Sequence, residues 1–427
     1  MHNKPAQTPP MGWNSWDCYG ASVTEAEVRG NAEYIAKHLK KYGWEYVVVD
    51  IQWYEPKARS SAYNKFTPLE MDEYSRLIPA VNRFPSSAGG KGFGPLAEYV
   101  HSLGLKFGIH VMRGIPRQAA HADTPILGTK VRAREIAHVN SICQWNTDMY
   151  GVDASVEGAQ AYYDSIIKLY ASWGVDYIKV DDILRPYSLS EVELIRDAID
   201  NCGREIVLSL SPGPAPVEYA EHLKANANMW RMTDDFWDQW RLLDNMFDRC
   251  CQWAPHAGSG HWPDADMLPL GHIAIRSCEH GIGDRWTNFT KDEQITMLTL
   301  WCIFRSPLMA GCELRDNDDW TLSLLTNEEV LRVQQHSHSA RQLYQRGPYN
   351  TNVAWTSTDE DGSLYLAIFN RGTFESRTET QLSLMNAEGR YYVRDLWAHA
   401  ELGEAERIIA VTVAPHGARL LKLTKKL

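Results

Sequence analysis

The sequence predicts an α/β protein: a (β/α)8 barrel over residues 1–335, then a small antiparallel β domain over residues 336–427. Three observations carry this. Eight short apolar runs alternate with helical patterns, and several of those runs end abruptly in carboxylates. After about Gln335 the helical period stops and short alternating runs replace it. The sharpest run is Tyr177-Ile178-Lys179-Val180-Asp181-Asp182. Aspartate disfavours strand interiors, so the acid pair marks the strand's carboxyl end. In a barrel, that rim carries the active site. Asp234-Asp235 follows Met229-Trp230-Arg231-Met232-Thr233 in the same manner.

In chain order, Met11-Gly12-Trp13-Asn14-Ser15-Trp16 is the first strand. Ser22 and Glu25 form an expected capping box. Behind it Val28, Ala32, Ile35, Ala36 and Leu39 share one helical face, and Gly43 stops the helix. Trp44 to Asp50 is a buried parallel strand ending in an acid. Gly94–Leu103 reads as a helix before the strand Leu105–Val111, which contains His110. Residues 114–151 read as a loop-rich insert over the mouth. Glu157–Trp173 is a helix leading to the Asp181 strand, and Ser190–Asn201 leads to Glu205–Ser211. The Trp230 run, Trp262–Leu268 and Ser306–Ala310 complete eight. Six short strands are expected beyond them: 352–355, 363–370, 378–384, 391–395, 407–413 and 419–423.

Composition narrows the function classes. The formal charge of −11 argues against nucleic acid and anionic membrane surfaces, which select basic patches. No apolar run approaches bilayer length, and the first residues lack a signal peptide's apolar core, so a cytoplasmic protein is expected. Eight cysteines at irregular spacings suit reduced thiols better than a zinc site or a disulfide framework, and no cofactor or metal is implied. Sixteen tryptophans exceed the needs of a core and suit stacking on sugar rings. Two acidic strand ends on one barrel mouth fit acid, base and nucleophile chemistry on a glycoside.

Five motifs in order resemble glycoside hydrolase family 27, the melibiase-like α-galactosidases, over nearly the whole chain. They are Thr8-Pro9-Pro10-Met11-Gly12-Trp13-Asn14-Ser15-Trp16, Lys179-Val180-Asp181, Trp230-Arg231 with Asp234-Asp235, Pro263-Asp264-Ala265-Asp266-Met267-Leu268, and Pro415-His416-Gly417-Ala418-Arg419-Leu420-Leu421. The resemblance implies a C-terminal β-sandwich and hydrolysis with retention through a covalent glycosyl-enzyme. It implies Asp181 as nucleophile and Asp235 as acid/base. One carboxylate must stay ionised for attack while the other holds a proton for the leaving oxygen. Lys179 is expected to keep Asp181 ionised, and the charges of Asp234 and Asp238 to favour a proton on Asp235. Trp16 is implied as a stacking wall, with Asp50, Arg231 and Asp266 binding ring hydroxyls and Asp264 supporting them.

The departures from that resemblance bear on the substrate. Where relatives show a second Asp after strand two, this chain has Ile51; where they show Tyr after strand three, it has His110. Ile183 replaces a Cys that anchors a loop disulfide in many relatives. Ser211-Pro212-Gly213-Pro214-Ala215 replaces a bulkier loop beside the sugar's 2-position, and Ile51, His110, Lys179 and Ser211 are expected among the substrate-binding residues. Isoleucine cannot accept a hydrogen bond and fills space next to the hydroxymethyl of galactose. That favours β-L-arabinopyranosides, which share galactose's ring stereochemistry but lack the group. The alternatives are an α-galactosidase and then an α-N-acetylgalactosaminidase. Outside this class stand a non-catalytic sugar-binding barrel and a metal-dependent hydrolase using Asp181, Asp182, Asp234 and His110. The expected partner is an oligosaccharide or glycoside, and assembly into a homo-oligomer stays open.

Overall fold

The computed structural model describes residues 5–277 and 283–426. Eight parallel strands form its first unit: β1 (Met11–Asn14), β2 (Tyr46–Val49), β3 (Lys106–Met112), β4 (Tyr177–Asp181), β5 (Val207–Leu210), β6 (Met229–Arg231), β7 (Trp262–Asp264) and β8 (Leu308–Ala310). Each pairs with its neighbour in sequence, and β8 returns to pair with β1 through Met11 and Leu308. The remaining seam is joined just past β7, where Leu268 bridges Ala310 in parallel. The result is a (β/α)8 barrel. Apart from Lys106, Lys179 and Asp181 every strand residue is buried, as expected of strands held between a barrel interior and its helices.

The first crossover helix starts two residues later than its sequence signal. Thr24 and Glu27 form the capping box, with Glu27 Oε2 accepting from the Thr24 amide at 2.9 Å. Ser22 instead donates to the Tyr19 carbonyl at 2.7 Å. Val28, Ala32, Ile35 and Leu39 face the core as expected, while Ala36 is only partly buried. Gly43 ends the helical run at φ 97°, a left-handed position that glycine fills without strain. Residues 114–152 are more ordered than the expected loop-rich insert. They hold helices Arg117–Ala122 and Ala133–Ile136 and a three-stranded sheet of 115–116, 149–152 and 137–142.

The C-terminal unit is the β-sandwich. Its larger sheet has the order β9 (Ser337–Arg346), β10 (Asn352–Asp359), β11 (Leu364–Asn370), β16 (Ala418–Lys425), β13 (Tyr391–Asp395) and β14 (Ala400–Ala405). A two-stranded ribbon of β12 (Ser376–Gln381) and β15 (Ile408–Val413) packs against it over Leu366, Ile368, Ile409, Leu421 and Leu423. β9 and β14 are additions to the sequence expectation. The expected strand at 378–384 ends at Gln381, where a short helical turn, Leu382–Met385, takes over.

Helix Lys291–Phe304 lies between the two units. Eleven of its residues are buried, Trp301 and Phe304 completely, so beyond the exposed Lys291 and Asp292 no polar face remains. From the sandwich side His416 stacks on Trp240 at 3.7 Å and bonds Glu293 at 2.8 Å, and Trp397 donates to Thr299 at 2.8 Å. Asp359 on β10 adds an ionic link. It accepts from Arg332 on helix Glu328–His336 at 3.0 and 3.1 Å, from Lys422 at 2.9 Å and from Tyr365 at 2.9 Å. Burial opposes its charge, but Arg332, Lys422 and Tyr365 outweigh burial and hold it well below the usual carboxylate range.

Asp359→Ala should therefore lower stability by about 2–3 kcal/mol, read as a lower urea midpoint. A completely enclosed pair would cost more, but Arg332 keeps 41% of its side chain exposed. The contribution is full at neutral pH and is lost as acid carries the solution down through the folded group's depressed range.

Candidate active site

The carboxyl ends of the barrel strands open onto a cavity of about 260 Å³ that both Asp181 and Asp235 line. Trp16, Asp50, Ile51, Lys179, Arg231 and Asp266 line it as well. Two predicted residues do not reach it. His110 lies fully buried behind Asp181, and Ser211 is buried in the wall while its neighbour Pro212 faces the cavity.

Lys179 and Asp181 sit two residues apart on β4, which puts both side chains on the same side of the strand. Lys179 Nζ donates to Asp50 Oδ2 at 2.9 Å, and Asn14 Nδ2 donates to the same oxygen at 2.7 Å. Burial opposes charge on Asp50, yet Lys179, His110 and Asn14 together hold it below the usual range. Burial likewise opposes charge on Lys179, and Asp50 and Asp181 more than offset that and raise it above the usual lysine range.

Asp181 Oδ2 lies 3.0 Å from His110 Nε2, and its Oδ1 accepts the Asp182 amide at 2.9 Å. Burial alone would push Asp181 up. The bond from His110 contributes most to reversing that, followed by Lys179 and the Asp182 amide, and the carboxyl ends well below its ordinary range. The sequence reading named Lys179 as the group that keeps Asp181 ionised; Lys179 contributes, but His110 contributes more. His110 thus favours the charge on Asp181 from behind, and its Nδ1 has no hydrogen-bond partner.

One member of each acid pair is held by an arginine. Asp182 adopts φ 58° and pairs with Arg113 at 2.9 Å, which also holds Glu191 at 2.7 Å. Asp234 pairs with Arg185 at 2.7 Å and Asp238 with Arg285 at 2.5 Å. The like charges expected to crowd Asp235 are therefore each held by an arginine. A different carboxylate crowds it. Arg231 extends one nitrogen to Asp235 at 3.1 Å and another to Asp266 at 2.7 Å. Asp266 also accepts the Phe236 amide at 2.7 Å, while Asp264 accepts the Asp266 amide at 2.9 Å. Burial pushes Asp266 up to about 7; Arg231 pulls it down, and Asp235 and Asp264 add like charge.

Sequence reasoning missed several cavity residues. Asp17 lines the cavity, and burial with the charges of Asp266 and Asp235 pushes it well above the usual range. Tyr63, Trp145 and Arg185 come from loops. The surplus of tryptophan and the insert after β3 were the signals for Trp145. Nothing local marked Tyr63. The four groups weighed as metal ligands do not converge, since Asp182 and Asp234 belong to separate arginine pairs. Among the described residues no cluster of His, Cys, Asp or Glu is arranged to hold a metal ion.

Family patterns described as alpha galactosidase A and as the alpha galactosidase C-terminal beta sandwich domain match residues 148–336 and 350–423. A GH27 β-L-arabinopyranosidase from Geobacillus stearothermophilus, crystallised as a variant with arabinose, is 63% identical. It superposes with a TM-score of 0.98, covering 100% of this chain and 99% of that one. The chain belongs to glycoside hydrolase family 27. A Bacillus halodurans C-125 protein provisionally described as an α-N-acetylgalactosaminidase is 55% identical, with a TM-score of 0.89 over 98% and 97% of the two chains. Alpha-galactosidase 2 of Arabidopsis thaliana is 25% identical over 100% of this chain and 92% of its own length. As a family 27 protein the chain is an O-glycoside hydrolase, which removes the non-catalytic sugar-binding barrel from the alternatives. Among the described residues no helix is long and apolar enough to cross a membrane. The seven described cysteines are all unpaired; Cys278 lies outside the described residues.

Proposed function

We propose that this family 27 enzyme hydrolyses terminal β-L-arabinopyranosides with retention of configuration. Asp181 attacks the anomeric carbon, and Asp235 protonates the leaving oxygen and then activates water. The held ionisation of Asp181 supports the first role. The exposed position of Asp235 on Arg231 supports the second, since its side chain is 48% accessible where the leaving group must depart. Trp16 packs along the sugar's apolar face, and Asp50, Lys179, Arg231 and Asp266 take the ring hydroxyls. The seven unpaired cysteines support a reducing, cytoplasmic setting.

The observation that carries the substrate choice is Ile51. It lies in the cavity wall directly after Asp50, buried and without an acceptor. A galactose hydroxymethyl stranded there costs roughly 1–3 kcal/mol. A pentopyranose has no such group. The test compares initial rates on nitrophenyl β-L-arabinopyranoside, α-D-galactoside and N-acetyl-α-D-galactosaminide. Ile51→Asp should raise the galactoside-to-arabinopyranoside ratio of kcat/KM by about 1–2 kcal/mol of transition-state binding. The absolute arabinopyranoside rate should fall, because the pentose leaves the new carboxylate unpaired. An unmoved ratio makes Ile51 ordinary wall and puts the galactosidase first.

A further inference from the structure

Two long loops meet at the mouth, and each brings one aromatic ring. Residues 50–84, after β2, form no helix or strand beyond a single bridge between Met71 and Leu77. A connection this long in a compact barrel is uncommon and is usually functional. Tyr63 comes from this loop, and Trp145 comes from the insert after β3. Trp16, Tyr63 and Trp145 form a continuous run. Tyr63 stacks on Trp16 at 6.1 Å with 20° between the planes and meets Trp145 at 5.5 Å. Exposure rises along it, from 8% at Trp16 to 38% at Trp145.

The loops are cross-braced, so this run is held in place. Asp148 accepts from Gln52 at 2.6 Å and from Tyr54 at 3.0 Å. The Phe66 amide donates to Thr147 at 2.7 Å, and Leu69 and Gln118 exchange two bonds at 2.9 and 3.1 Å. Glu55 folds the loop on itself, accepting from Lys57, Asn64 and Thr67. Preorganised aromatic surface of this kind binds without an ordering cost.

We infer that Tyr63 and Trp145 form a leaving-group subsite that stacks on the ring of a carbohydrate aglycone. This rests on the reading in which Asp235 protonates the leaving oxygen. Trp16 and the buried polar groups occupy the enclosed part of the cavity and suffice for one terminal sugar. Tyr63, Trp145, Arg185 and Asp234 line the same cavity but belong to its open part, as Asp235 does. An aglycone bonded to the oxygen at Asp235 must therefore lie among them. The apolar ring faces and the Arg185–Asp234 ion pair suit a sugar, which presents an apolar face and a hydroxyl rim. They do not suit an alkyl chain, which would leave the ion pair unmatched.

The test pairs two substrates on the full-length enzyme: β-L-arabinopyranosyl fluoride, whose leaving group has no ring, and a disaccharide with terminal β-L-arabinopyranose on a hexose. Trp145→Ala should lower kcat/KM for the disaccharide about tenfold while the fluoride stays within about twofold. The disaccharide's loss should fall mainly in KM, and Trp145→Phe should recover most of it. An equal fall on both substrates, or an unchanged disaccharide rate, overturns the subsite while leaving the reading of Asp181 and Asp235 intact. A wild-type enzyme inert toward arabinopyranosyl and galactosyl fluorides alike would sink that reading, and the subsite with it.

Discussion

Asp181→Ala should lower kcat by at least about 10⁴-fold on every glycoside the wild-type enzyme cleaves. In the proposed mechanism the variant loses the atom that bonds the anomeric carbon, and the neighbouring carboxylates Asp50 and Asp182 are held elsewhere. Asp50 is tied to Lys179 and Asn14, and Asp182 is turned toward Arg113. Folding should survive, although His110 then stands buried with neither ring nitrogen bonded, at about 1–3 kcal/mol. Azide should partly restore turnover by entering the space vacated. It then makes a single displacement, so the glycosyl azide formed has inverted configuration. Retained configuration from this variant would exchange the roles of Asp181 and Asp235.

Asp235→Ala should cost about 10²–10⁴-fold for sugar or alkyl leaving groups and far less for dinitrophenolate, which departs unprotonated. Azide here attacks the glycosyl-enzyme, so its product retains configuration. Asp181 is held ionised well below the ordinary carboxylate range, so its protonation should leave wild-type kcat/KM untouched until pH falls far into acid. An acid limb within the ordinary carboxylate range assigns that limb to another group.

The barrel was legible because each strand is a short apolar run, and the acids at several ends fix where they stop. Parallel strands buried on both faces leave little room for other readings. The two sandwich strands that escaped, β9 and β14, lie at opposite edges of its larger sheet. Their burial patterns are mostly half-exposed or exposed, so their sequences, Ser337–Arg346 and Ala400–Ala405, carry no alternation to see. In the site, the residues on strand ends were readable and their partners were not. Adjacent acids look equivalent in sequence. Only the left-handed backbone at Asp182 and the reach of Arg185 to Asp234 separate the pairs. His110 was read as a sugar contact because position suggested the mouth, while its ring turns to Asp181.

Helix Lys291–Phe304 bears on how this enzyme can be cut and recombined. Beyond its exposed start at Lys291 and Asp292 it turns almost nothing to solvent: the barrel holds one side, and the sandwich covers the other through His416, Trp397 and β16. A barrel expressed alone would open that covered side to water, next to Trp301, whose indole donates to the Asp266 carbonyl at 3.0 Å. The sandwich therefore acts as a lid on a helix that buttresses an active-site strand end, and it is no interchangeable cargo. Chimeras should keep Lys291 to Phe304 together with the sandwich that was selected to cover it, and place their junctions elsewhere in the barrel.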